Sequence, residues 1–145
     1  MKSTKIIIIL FILFNISLSA KNNNLIVNIE NFSSNKGNVR VHLYDIINKK
    51  YFPTNSDKIF ALEVATINNL KAKVIFKDIP NGIYSITVHH DENLNVKMDR
   101  NLLGIPIEGW GVSNNIKHNF SAPDFEECSF RFDDNTMEIK IVMNN

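Results

Sequence analysis

From Leu25 onward the chain alternates apolar and polar residues with a period of two, and helical spacing is hard to find. "LIVNIE" sets Leu25, Val27 and Ile29 on one face. "NVRVHLY" sets Val39, Val41 and Leu43 against Arg40 and His42. "AKVIF" offers Ala72, Val74 and Phe76, and "IYSITVHH" offers Tyr84, Ile86 and Val88 against Ser85, Thr87 and His89. The C-terminal "TMEIKIVM" adds Met137, Ile139, Ile141 and Met143. A further strand is expected at Cys128–Phe132, and a looser one within Ile59–Ile67. Successive strand residues point to opposite faces, so each segment has one apolar side to bury. About seven short strands of this kind require two sheets packed face to face, a single antiparallel β-sandwich of the all-β class.

Turn chemistry separates the strands. "NKG" at Asn35–Gly37 joins the first two, and "DIPNG" at Asp78–Gly82 joins the next pair, with Asn81 and Gly82 able to take left-handed backbone. One segment breaks the pattern. Asp91–Glu127 carries Gly104, Gly109, Gly111, Pro106 and Pro123, and reads as one long ordered loop. Its apolar residues Ile105, Ile107, Trp110, Phe120 and Phe125 argue against disorder, because a disordered segment is polar. Long loops of compact domains are usually functional, so the expected site lies here, folded over one end of the sandwich.

The N-terminus changes the count of residues available to the fold. "MKSTK" places two lysines before the apolar run Ile6–Phe14, and "NISLSA" follows, which is the pattern of a cleaved secretory signal at residues 1–20. The run is too short to span a bilayer. The expected product is exported, periplasmic or secreted, and an intact-mass measurement on the natural protein should find it starting near Ala20 or Lys21. Recovery from cytosol with Met1 and the apolar run intact would refute this. The remaining residues, 21–145, suffice for one domain with one core. Losing Lys2 and Lys5 leaves 14 basic against 15 acidic side chains, of the original 16 and 15. That balance gives no electrostatic reason to hold nucleic acid or an anionic membrane. Cys128 is the only cysteine, so no disulfide forms within the chain, and its thiol is expected in the core.

"HHDENLNVKMD" at His89–Asp99 carries the candidate chemistry. Calcium takes roughly six to eight oxygen ligands, often from alternate positions of a short loop. Asp91, Asn93 and Asn95 fill the first, third and fifth places, the Lys97 carbonyl the seventh, and Asp99 the ninth. Two departures weaken the pattern. Val96 stands where glycine serves the sharp turn, and Leu102 stands where a bidentate glutamate closes the site, leaving Glu108 or Glu92 to supply that carboxylate. Any calcium is therefore expected to bind weakly, and the alternative is a polar turn held by its own hydrogen bonds. His89 and His90 are adjacent on a strand and cannot easily chelate one ion; His90 is expected buried and His89 solvated.

"VHHDENLNVKMDRNLLGIPIEGWGVSNN" resembles the signature of an exported bacterial family, domain of unknown function 2141. The family pattern falls on Phe76–Tyr84, His90–Asp99, Gly104–Asn115 and Pro123–Phe125, which spans essentially the whole mature chain; Val96 is the clear departure. The resemblance implies no established activity. The Phe76–Tyr84 piece is similar to the hairpin of transthyretin-like and carboxypeptidase-regulatory-like sandwiches, which are mostly accessory or binding domains, and so implies a prealbumin-like fold. Two functions follow as expectations. The first is a non-catalytic exported domain whose partner is an envelope protein or a glycan, bound by Trp110, Glu108, His90 and Asn114. The second is a hydrolase using His90, Asp91 and Glu108 as acid–base groups. No nucleophile elbow, phosphate loop or zinc motif is present, and weakly held calcium is the one cofactor suggested.

Overall fold

A computed structural model describes residues 23–118, 121–133 and 136–145; the expected signal at residues 1–20 and Phe120 lie outside them. The alternating segments form strands, and the fold is an all-β sandwich. The smaller sheet holds β1 (Leu25–Glu30), β4 (Lys71–Phe76) and β8 (Met137–Val142) in the order β4-β1-β8. The larger runs β3-β2-β5-β6 through β3 (Ala61–Ala65), β2 (Asn38–Asp45), β5 (Gly82–Asp91) and β6 (Trp110–Val112). β7 (Phe130–Phe132) pairs with the first half of β5. Leu25, Val27 and Ile29 share one hydrophobic core with Val39, Val41, Leu43, Ile86 and Val88.

Three features depart from the sequence reading. β8 runs parallel to β1, whereas the remaining named pairs are antiparallel. Alternation determines the faces of a strand but not its direction beside a neighbour. The turns at Asn35–Gly37 and Asp78–Gly82 close no hairpin, because β1 and β4 lie in one sheet and β2 and β5 in the other. In the second of these turns the left-handed residue is Asp78 (φ 54°). The excursion is also more regular than a loop: it contributes β6 and the short helix α1 (Phe125–Cys128), which Asp124 caps.

That excursion gives the larger sheet a second packed face. Tyr44, Phe52, Val112, Phe125 and Cys128 form a cluster on its outer side, with Phe52 edge-on to both Tyr44 and Phe125. Cys128 is fully buried there, as expected of its thiol, and burial pushes that thiol up to about 12. β5 is therefore covered on both sides, and Ser85 and His89 are buried although they alternate with core residues.

Candidate functional site at the end of β5

β5 delivers its last three residues to two different places. His90 continues the inward series Tyr84, Ile86, Val88; it is fully buried and edge-on to Phe32, and its Nε2 donates to the Lys36 carbonyl at 2.9 Å. His89 and Asp91 leave by the outer face, and both are buried, at 6% and 1% exposure. Glu108, at the far end of the arm that follows, returns to meet them. One ligand atom from each of His89, Asp91 and Glu108 lies within 4.8 Å of the others.

Glu108 acts as a brace. Its Oε2 accepts from His89 Nε2 at 2.8 Å and from the Asp99 N–H at 3.0 Å, and its Oε1 accepts from the Glu92 N–H at 3.1 Å. One buried carboxylate thus holds β5 and both ends of the Asp91–Asp99 loop. Buried charge is tolerated when donors surround it in this way.

The loop is closed by local hydrogen bonds at alternate positions. Asp91 Oδ2 accepts from the Val96 N–H at 3.1 Å, closing the turn from first to sixth place. Asn93 Oδ1 accepts from the Asn95 N–H at 3.0 Å, and Asn95 Oδ1 from the Lys97 N–H at 2.8 Å. Both amide groups then donate to the Asp99 carboxylate, at 2.6 and 3.0 Å. Val96 takes the left-handed conformation required of glycine (φ 68°), as does Leu94 (φ 63°). A β-branched residue is strained there. The second Asp91 oxygen, Oδ1, is buried without any hydrogen-bond partner. Asn38 stands directly opposite Asp91 in the β2–β5 register, on the same face, and its Oδ1 is likewise buried and unpartnered.

Beside this cluster the outer face forms the floor of a cleft of about 800 Å³. His42, Tyr44, Thr87, His89, Trp110 and Val112 line the floor, and the arm between Val96 and Pro106 forms one wall. Burial, aided by Arg40 and His89, holds the His42 imidazole down at about 4, so that ring is uncharged at ordinary pH. The volume falls within the range of small-molecule sites.

Residues 27–140 match the model of a family described as an uncharacterized protein conserved in bacteria (DUF2141). That span runs from within β1 through most of β8 and takes in the entire site. The chain belongs to this family. No curated protein and no solved structure matches it.

Within the family pattern the expected site residues separate. Asp91, Asn93, Asn95, Lys97 and Asp99 come together in one turn, with Glu108 beneath them. Trp110 lines the cleft, but His90 is committed to the inner core and Asn114 to bracing: its amide donates to the Glu127 and Ser129 carbonyls, both at 3.0 Å. The expectation of a solvated His89 was wrong, because the arm covers that face. His89 and Asn38 are the residues that sequence reading missed. Their signal was available only as register, with His89 two places before Asp91 and Asn38 opposite it.

Proposed function

We propose that the protein is an exported, non-catalytic binding domain of the cell envelope whose Asp91–Asp99 loop takes up a divalent cation weakly and so steadies the arm that walls the cleft. The observation that carries this reading is Asp91 Oδ1, a carboxylate oxygen buried without a donor. An unpaired buried charge is costly, and a cation is the partner that removes the cost. Hard oxygen donors from Asp91, Asp99, Asn93, Asn95 and Asn38 suit calcium better than a soft metal. Separation of His90 from Asp91 and Glu108 across the sheet favours binding over acid–base hydrolysis.

The test is a thermal melt with calcium against chelator. A ligand that binds only the folded state adds RT ln(1 + [L]/Kd), about 1.4 kcal/mol at ten times Kd. With Kd near ~1 mM, about 10 mM calcium should raise Tm by a few degrees. Asp91→Ala should abolish the shift, and Val96→Gly should enlarge it by relieving the turn. No shift in either the wild type or Val96→Gly would leave a turn held only by its own hydrogen bonds. Saturation at micromolar calcium would refute weak binding.

A further inference from the structure

The arm that leaves the Asp91–Asp99 loop does not fold its apolar residues onto the sandwich. Leu102 is 106% exposed and Leu103 83%, with Ile107 at 67%, Leu94 at 60%, Val96 at 56% and Ile105 at 55%. Ile105 and Ile107, whose apolar character argued against disorder, are exposed. The arm is nevertheless built. Asn101 N–H donates to the Ile105 carbonyl and Ile107 N–H to the Asp99 carbonyl, both at 2.9 Å, and Arg100 bridges Pro106. Asn101 Oδ1 accepts from the Leu103 and Ile105 N–H groups, and Gly104 closes the tip at φ 78°. The result is a short hairpin with two leucines at its apex. Apolar side chains exposed together on one built element mark an interaction surface.

The charges of the arm are sorted by side. Asp91 and Glu108 are buried, and the Asp99 carboxylate is taken up by two amides. Glu92 turns away to Ser33, 2.9 Å distant. Lys97 and Arg100 remain exposed on the arm, with Arg100 Nη1 donating to the Gly104 carbonyl of the tip at 2.8 Å. At the rim of the cleft, an exposed apolar tip flanked by two cations matches the apolar interior and anionic headgroups of a phospholipid bilayer, which needs no groove preformed to receive it. The geometry points to a peripheral membrane contact: Leu102, Leu103, Ile105 and Ile107 enter an anionic bilayer surface while Lys97 and Arg100 pair with its headgroups. The near-zero net charge of the chain does not oppose this, because Asp91 and Glu108 are buried and Glu92 and Asp99 are engaged by Ser33, Asn93 and Asn95. The contact does not depend on the cation or on export.

The experiment is co-sedimentation of the chain beginning at Lys21, which holds every strand of both sheets, with two kinds of vesicle. One is equal parts phosphatidylglycerol and phosphatidylcholine, and the other is phosphatidylcholine alone. The expected result is preferential binding to the anionic vesicles. Leu102→Asp with Leu103→Asp should weaken binding more than about tenfold, and Lys97→Glu with Arg100→Glu should erase the preference. All four side chains are exposed, so melting temperatures should stay near wild type and identify loss of binding as such. Absence of vesicle binding by the wild type, or equal binding by the leucine variant, would overturn the proposal. Self-association in sedimentation velocity that the leucine variant abolishes, without vesicle binding, would assign the hairpin to a second copy of the chain instead.

Discussion

Glu108→Ala is expected to cost the domain about 3–5 kcal/mol, as removal of one member of a buried charged network does. Three donors lose their acceptor together: the His89 imidazole and the Glu92 and Asp99 N–H groups. Each buried group left unpaired costs about 1–3 kcal/mol, less where water can enter. Glu108→Gln separates charge from shape. Glutamine offers one oxygen, so whichever way its amide lies, one backbone N–H faces another donor. It should cost about 1–3 kcal/mol, between wild type and alanine. Urea unfolding followed by Trp110 fluorescence measures both. A loss below about 1 kcal/mol for alanine would show that solvent replaces the carboxylate and that Glu108 braces nothing. The same variant should lose the calcium-dependent rise in Tm, because both ends of the loop are released.

Gly37→Ala should be comparably severe, by more than about 3 kcal/mol, for a reason that lies in the backbone. Gly37 sits at φ +66°, and a Cβ there would meet the Asp91 carbonyl oxygen at 2.0 Å and Glu92 Cα at 2.6 Å. Neither atom can rotate aside, so the β1–β2 connection or the start of the Asp91 loop must move. Gly104→Ala is the control. Its φ is +78°, and nothing lies within 4 Å of a Cβ built there. It carries the conformational penalty alone, about 1–2 kcal/mol. Denaturation midpoints of the two variants isolate the cost of the collision. Equal losses would mean that the turn at Gly37 yields freely.

The two substitutions differ in how well the sequence announced them. A turn at "NKG" was legible, since the residue types state it. That the Gly37 Cα lies against the Asp91 carbonyl was not, because the two positions are far apart along the chain. The same division runs through the site. The spacing of Asp91, Asn93, Asn95 and Asp99 predicted one polar turn, and it forms, because side chain to backbone bonds over two to five residues are local. Val96 in the glycine place was recognised as strained, and it adopts the strained conformation. Glu108 was named as a closing carboxylate, but its role as a brace with His89 required the arm to fold back.

What the sequence determined by itself was the strands outside Asp91–Glu127, their inward faces and the sandwich these imply. Period-two alternation is read within five or six residues and leaves little freedom once an apolar core must form. Which strands share a sheet, the parallel run of β8 on β1, and the covering of the outer face of β5 were decided by tertiary structure. Alternation distinguishes two faces of a strand, but it does not say whether a distant segment will cover the second. For that reason His89 read as solvated and is buried. Charge divides likewise. A count of basic and acidic residues is a property of the composition, whereas the field at a surface depends on which carboxylates the fold turns inward.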